Sequence, residues 1–357
     1  MPVLSVYFGS SSISFLYANS PKEYKFFKYP YVYSKNLFGH FISEIDFYTA
    51  LFDMIYKDLG IDKEMKSSDA KLLFTSFPHI PLQSMHPELS VTLNNVVSRT
   101  NEYFAIFVDE CSVINPSTFF HAYPLKSYYK KEMKNEVELN TANYYSNLSV
   151  FPQASFTSDS DRLEHDNYIR FLSINSGYDM PKDLPIMLCG DRFSDNSKYE
   201  PLTYLLAIDL IKDPGIFQVK MDLDNIFPVL ALLTMHDPKY SSLFLDQKFW
   251  TLGTLINSPG MTECLIERES GPSQFVDVKP NELFFIPMEE TTTVKLQVKN
   301  AALGTQERFV SGGKLGLIID TRPKNNNVTF TEKYISKGYR EWQNTIKQIL
   351  NSLGNGN

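Results

Sequence analysis

Two stretches of this chain repeat one order of elements (a short apolar strand, a turn, a second strand, then helix), and that repetition limits the fold more than any other feature. In the first stretch, residues 3–7 and 13–17 read as apolar strands around a Gly-Ser-rich turn at 9–12, which is a hairpin signal. Residues 42–59 then carry Ile45, Leu51, Phe52, Ile55, Tyr56 and Leu59 at helical spacing and stop at Gly60. Residues 72–74 and 103–108 look like short buried strands, with a polar stretch at 90–98 that suits a helix. In the second stretch, residues 169–174 and 184–188 read as strands, and 201–211 and 224–233 as helices, the last carrying Pro228. Strands that alternate with helices predict a mixed or parallel sheet. A length of 357 residues suits two domains or one bilobal unit.

Composition marks the boundaries. Residues 128–168 turn to charge, Asn and Ser, as expected of a mobile connection or insertion. Residues 250–255, 262–267, 282–286, 291–298 and 315–320 are β-rich, with turn chemistry at 258–260, 271–272 and 312–313. A terminal helix at 332–353 presents Ile335, Tyr339, Trp342, Ile346, Ile349 and Leu350, with Gly338 inside its first turns. The expected organisation is therefore a first lobe at 1–127, a connection at 128–168, a second lobe at 169–249, a β-rich module at 250–330, and a helix with a polar tail at 331–357.

Several function classes fall away. A net charge of −7 with no long Lys/Arg run lacks the electrostatic footprint of a phosphate-backbone binder, so nucleic acid is not an expected partner. The N-terminal segment has no basic region ahead of its apolar residues and does not read as a secretory signal. No stretch approaches the ~18–20 apolar residues that span a bilayer, so no direct membrane span is expected. Cys111, Cys189 and Cys264 form no CxxC pair, which predicts reduced thiols and a cytoplasmic location. The six histidines form no HExxH spacing, and GxSxG, Walker lysine and GxGxxG signatures are absent. Cys111 has no basic residue close in sequence to activate it.

Three segments carry candidate chemistry. In VLSVYFGSSSISF an irregular turn of Gly9, Ser10, Ser11 and Ser12 aims backbone N–H groups and hydroxyls at one anion, or is simply a hairpin turn. In FAIFVDECSV an apolar strand runs into Asp109, which orients a metal or a water, or merely closes the strand; Cys111 and Ser112 follow. In LPIMLCGDRFS a strand meets Gly190, and Arg192 and Phe193 behind it either stack on a base or fill a cleft.

On these segments the chain resembles the actin-like ATPase superfamily. That resemblance implies a first phosphate motif whose Asp, two residues before the Gly, holds a metal-bound water; Tyr7 stands there instead. It implies glycines around the second phosphate motif, where Cys111 and Ser112 would crowd a phosphate, and two or three glycines in an adenosine motif, of which Gly190 remains. Between residues 222 and 323, the runs DLDNIFPVLALLT, WTLGTLINSPG, NELFFIPMEETTTVKLQV and FVSGGKLGLIIDTRP resemble the second half of the actin-like proteins associated with glutamate mutase, the MutL family of that pathway. The same ending is also explained as a Gly-Gly turn feeding a buried strand that Pro323 stops, with Asp320 and Arg322 pairing at its end.

The expected fold is α/β, a duplicated actin-like (RNase H-like) two-lobe fold with an additional C-terminal β-rich module. Depleted nucleotide positions point to a cytoplasmic scaffold or assembly factor that binds ATP weakly or not at all and works through protein partners, among them a membrane-associated assembly. The alternative is an active Mg-ATP-dependent ATPase or chaperone of a partner enzyme, or of a machine such as a type IV pilus. ATP and Mg are the implied cofactors, with nucleotide at Gly9, Ser10, Ser11, Ser12, Asp109, Ser112 and Gly190, and the metal at Asp109.

Overall fold

The computed structural model describes residues 2–9, 12–30, 53, 55–58, 60, 71–76, 93–98, 102–108, 112–114, 119–121, 162, 166, 169–170, 173, 179–194, 200–246, 249–269, 271–324 and 332–354. The first sheet holds β1 (Val3–Phe8), β2 (Ser12–Ser20), β3 (Glu23–Pro30) and β4 (Lys71–Ser76) in the order β3-β2-β1-β4. The first three form an antiparallel meander and β4 lies parallel to β1. A parallel pair needs a crossover. Helical residues 53 and 55–58, followed by Gly60 in a turn, lie on it.

The second sheet repeats this plan. β5 (Phe104–Val108), β6 (Ser112–Ile114) and β7 (Phe119–His121) form the meander, and β8 (Ile186–Cys189) and β9 (Gly215–Met221) add in parallel, giving β7-β6-β5-β8-β9. One topology used twice is the duplicated RNase H-like arrangement of the actin-like fold. The strands β5, β6 and β7, grouped by the sequence with the first lobe, pair in this second sheet. A run of five apolar residues suits the centre of either sheet, so its partner is invisible to pattern.

β10 (Trp250–Asn257) extends the second sheet antiparallel to β9. The strands β11 (Thr262–Arg268), β12 (Gln274–Val278), β13 (Leu283–Ile286), β14 (Thr293–Asn300), β15 (Gly304–Ser311) and β16 (Leu317–Asp320) follow. Of these, β16 lies between β10 and β13 in the eight-stranded second sheet, and the other four form a separate antiparallel sheet, β12-β11-β14-β15. This third sheet is the additional β-rich module. Its alternation turns Cys264, Ile266, Leu296 and Val298 onto Ile216, Ile256, Leu317 and Ile319 of the second sheet.

The described helices are α1 (Leu93–Ser98), α2 (Asp191–Ser194), α3 (Glu200–Asp209), α4 (Phe227–His236), α5 (Ser242–Asp246) and α6 (Glu332–Gly354). Pro228 falls in the first turn of α4, where its missing N–H has no partner to lose. Residues 227–233 of α4 are apolar on every side because they are enclosed on every side: one cluster joins Val6, Phe8 and Phe15 of the first sheet, Phe107, Met187 and Cys189 of the second, and Phe227 and Leu230 of α4. The opposite face of the second sheet, with Ile106, Leu188 and Val219, packs on Leu205 and Ile208 of α3 and Ile346 and Ile349 of α6. Of the apolar stripe of the terminal helix, Trp342, Ile346, Ile349 and Leu350 are thus used within the chain.

The strand expected at 169–174 is not what its described residues form. Ile169, Arg170 and Ser173 are helical, as are Arg162 and Asp166, and all five are buried. Their spacing of three to four residues is helical, but the buried stripe is largely charged, which an apolar-periodicity reading passes over. Arg162 and Asp166 end the segment expected to be mobile; residues 128–161 lie outside the described residues.

The glycines of LGT and GGKLG interlock. Gly316 has φ +74°, the Thr254 amide donates to its carbonyl at 3.1 Å, and the Leu315 amide donates to Leu252 O at 2.8 Å. A Cβ on Gly253 would overlap the Gly316 carbonyl, and one on Gly316 would overlap that of Ile286. Just beyond, Arg322 Nε and Nη2 donate to the two carboxylate oxygens of Asp320 at 2.7 Å each, so these two residues do pair at the strand end.

Candidate functional site

The site begins at the end of β1. The Gly9 amide donates to Ser12 O at 2.8 Å, closing a hairpin whose two linking residues, Ser10 and Ser11, lie outside the described residues. Tyr7, at the position where the resemblance places a metal-water carboxylate, is fully buried. Its ring centroid is 6.4 Å from that of Phe107 on β5, and Phe107 is 5.9 Å from Phe227 at the start of α4. Three aromatic rings therefore fill the base of the region between the two sheets.

Asp109 and Cys111 lie outside the described residues, and of Ser112 the structure gives only its place as the first residue of β6. Gly190 ends β8 with φ +104°, and a side chain there would collide with the Val108 carbonyl, so the β8–α2 turn rests against the end of β5. This turn sends Asp191 toward the first hairpin. Asp191 Oδ1 accepts from Ser12 Oγ at 2.7 Å and from Asn225 Nδ2 at 2.6 Å. Gly9 makes room: a Cβ there would sit 2.5 Å from Asp191 Oδ2. Among the sequence candidates, the structure thus brings Gly9 and Ser12 together beside the turn that follows Gly190.

Asn225, in the link to α4, adopts φ +56°, which Asn tolerates better than most residues. Its Nδ2 also donates to Ser12 Oγ at 3.0 Å and to Ser194 Oγ at 3.3 Å. Lys28 of β3 reaches the carbonyls of Ser194 and Leu223, both at 3.4 Å. Asp191, Asn225 and Lys28 were not singled out as site residues by sequence reasoning. An Asn just before a helix carries a turn signal, but nothing local marks Lys28 or the aim of Asp191.

Arg192 and Phe193 face inward, not toward a base. Phe193 lies in the core of the second sheet, and Arg192 binds Asp166, its Nε donating at 3.2 Å and its Nη2 forming a closer ion pair. Arg162 Nε donates to the two oxygens of Asp166 at 3.2 and 3.3 Å. Burial would push the Asp166 carboxyl up, but Arg162, Arg192 and Arg170 outweigh it and hold the group below the ordinary carboxylate value. Arg170 pairs with Asp209 at 2.7 Å, and Asp209 in turn meets Arg322 at 2.7 Å, extending the network to the end of β16.

Asp222 behaves differently. Its carboxylate accepts from the Phe227 amide at 2.7 Å and the Ile226 amide at 3.1 Å. Complete burial is the larger influence and pushes it up to about 6. Cys189 is buried beside it, and burial together with the Asp222 charge raises its thiol, the opposite of what a reactive cysteine needs. Among the described residues no three His, Cys, Asp or Glu side chains gather to hold a metal. A phosphate set on Gly9 would meet the Asp191 carboxylate; two unit charges at ~4 Å repel by about 4 kcal/mol at an effective dielectric near 20. Gly9, Ser12 and Asp191 thus leave no open place for a metal-free phosphate, and Ser10, Ser11 and Asp109 lie outside the described residues.

No protein-family model matches the chain, and no curated protein does. Similar solved structures include component A of the (R)-2-hydroxyglutaryl-CoA dehydratase of Acidaminococcus fermentans, 10% identical over 65% of this chain and 96% of that one, with TM-score 0.39. The ethanolamine utilization protein EutJ of Carboxydothermus hydrogenoformans is 10% identical over 65% of this chain and 89% of its own, with TM-score 0.33. An exopolyphosphatase of Cytophaga hutchinsonii is 12% identical over 54% of this chain and 68% of its own, with TM-score 0.24. The fold assignment rests on the repeated strand order, to which likenesses at these scores add nothing.

Proposed function

We propose that the protein is a degenerate actin-like scaffold or assembly factor that binds ATP weakly or not at all. The observation that carries this reading is the packing of Tyr7 on Phe107, an aromatic contact at the place where the resemblance expects a carboxylate and a metal-bound water. A phenol ring in an apolar cluster supplies neither charge nor room for a hydrated cation. Two further features support a structural role. The sheets share one apolar cluster through α4 and so stay together without a bridging nucleotide. The outer face of the third sheet presents Phe275, 61% exposed, and Phe309, 76% exposed, side chains of the kind that protein partners cover.

The partners of this reading are cytoplasmic proteins, including a membrane-associated assembly, and by fold-level analogy alone a machine such as a type IV pilus. Kinship with the glutamate-mutase-associated proteins belongs to the same proposal and rests on the interlocked LGT and GGKLG motifs. No described helix is long and apolar enough to cross a membrane. Melting the purified protein with and without millimolar Mg-ATP tests the reading. An unchanged melting temperature is expected, whereas ligand at 100 times its Kd would stabilise the native state by about 2.7 kcal/mol. A clear upward shift that Asp109→Ala abolishes, together with phosphate release, would establish the ATPase alternative instead.

A further inference from the structure

We propose that the space between the Gly9 hairpin and α2 is an oxyanion site whose resident anion is the protein's own Asp191 carboxylate, which latches the first sheet to the second. The inference rests on the reading that nucleotide does not bind there, and it names what takes the phosphate's place.

Two donors from distant parts of the chain converge on one oxygen, Ser12 Oγ at 2.7 Å and Asn225 Nδ2 at 2.6 Å, and are themselves joined at 3.0 Å. All three residues are buried, with relative exposures of 4% for Ser12, 4% for Asp191 and 0% for Asn225. Gly9 is the only residue type that leaves room for the second oxygen, since a Cβ would approach Oδ2 to 2.5 Å and Oδ1 to 2.9 Å. Asn225 holds a left-handed backbone conformation, φ +56°, that non-glycine residues seldom adopt and that surrounding contacts must fix. Lys28 crosses from β3 to the Ser194 carbonyl of the same short helix and brings a positive charge to the cluster.

A hydroxyl and a primary amide on one anionic oxygen, with the Lys28 ammonium held on the nearby Ser194 and Leu223 carbonyls, form a donor set that recognises carboxylate or phosphate oxygens alike. Ser12 belongs to the first sheet, whereas Asp191 follows β8 of the second. Hydrogen bonds from Ser14 Oγ to Asp224 O at 3.4 Å and from Ser5 Oγ to Val229 O at 2.8 Å run in the same direction. At this point a tethered side chain, not a diffusible ligand, joins the two sheets, beside the apolar cluster on α4.

The test is chemical rescue. Wild type and Asp191→Ala are melted across a series of acetate, inorganic phosphate and chloride at constant ionic strength. Asp191→Ala is expected to melt several degrees lower and to recover part of that loss in acetate or phosphate but not in chloride, while wild type responds to none specifically. Equal melting of the two proteins, or equal recovery in chloride, overturns the proposal. If Asp191→Ala does not fold, Asp191→Asn carries the test, because it keeps the shape and removes the charge. It should melt lower and exchange the Gly9 and Ser12 amide hydrogens faster, and an unaltered variant would sink the idea. A Mg-ATP shift in wild type defeats the functional reading, whereas an inert wild type with no anion response in Asp191→Ala defeats the latch alone.

Discussion

Asp222 and Asp166 are both fully buried, yet their surroundings drive them in opposite directions. Around Asp166 the arginines prevail over burial, so its contribution to stability is present above the unfolded carboxylate value and is lost as pH falls through its lowered folded value. Around Asp222 burial prevails, raising it from 3.8 to about 6. Stability from Asp222 is complete below pH 3.8 and is lost as pH rises through about 6, a swing of about 3 kcal/mol at 1.36 kcal/mol per unit. Urea titrations between pH 4 and 7 should show this downward component in wild type, and Asp222→Asn, uncharged throughout, should remove it. Arg192→Ala leaves the Asp166 carboxylate buried with fewer cations, and a loss of about 3 kcal/mol is expected in the same titrations.

At the scale of elements, the parallel pairing of β10 with β16 is restricted by the close approach of Gly253 and Gly316. Gly316→Ala forces a side chain into the Ile286 carbonyl at a backbone conformation L-residues avoid, so a loss well above ~1 kcal/mol is expected by urea denaturation. The terminal helix is held by its buried Ile346 and Ile349, and Trp342 lies 4.5 Å under the Arg322 guanidinium. Trp342→Ala should loosen this helix, seen as faster backbone hydrogen exchange across 340–354 with the sheets unchanged. Elements with apolar runs or apolar periodicity were legible from sequence: the β1–β2 hairpin, α3, the terminal helix, β10, β13, β16, and β11 and β14 of the third sheet, whereas β12 and β15, exposed along much of their length, were not. β3, with Lys25 and Lys28 among its aromatics, and β9, with Gln218 and Lys220 interrupting its apolar run, were passed over because partial exposure breaks the pattern. The helical residues Arg162, Asp166 and Arg170 were missed because their buried side chains are ionic. Of the candidate site, Gly9, Ser12 and Gly190 were legible as turn chemistry. Asp191 and Asn225 acquire meaning only when residues far apart in the chain are folded together.

For the whole molecule, the apolar cluster that spans α4 and the first and second sheets means that neither sheet can unfold without exposing the other. Denaturation of β1–β9 should therefore be one transition, with slow-exchanging amides of both sheets reporting the same opening free energy. Two separate transitions would show that the sheets are independent. The position of β16 has a further consequence, for synthesis on the ribosome. β13 has its only described strand partner in β16, and β10 has one edge open until β16 arrives, although β10 ends at Asn257 and β16 begins at Leu317. While residues 258–316 are being translated, the nascent chain carries an unpaired apolar strand edge of the kind that seeds aggregation. The third sheet, encoded within that interval, is the one part of this region able to pair its strands before the gap is filled. Its early folding shortens the effective distance between the two strands that wait, and a translational pause once residue 320 has emerged from the ribosome would give the last strand time to slide between them.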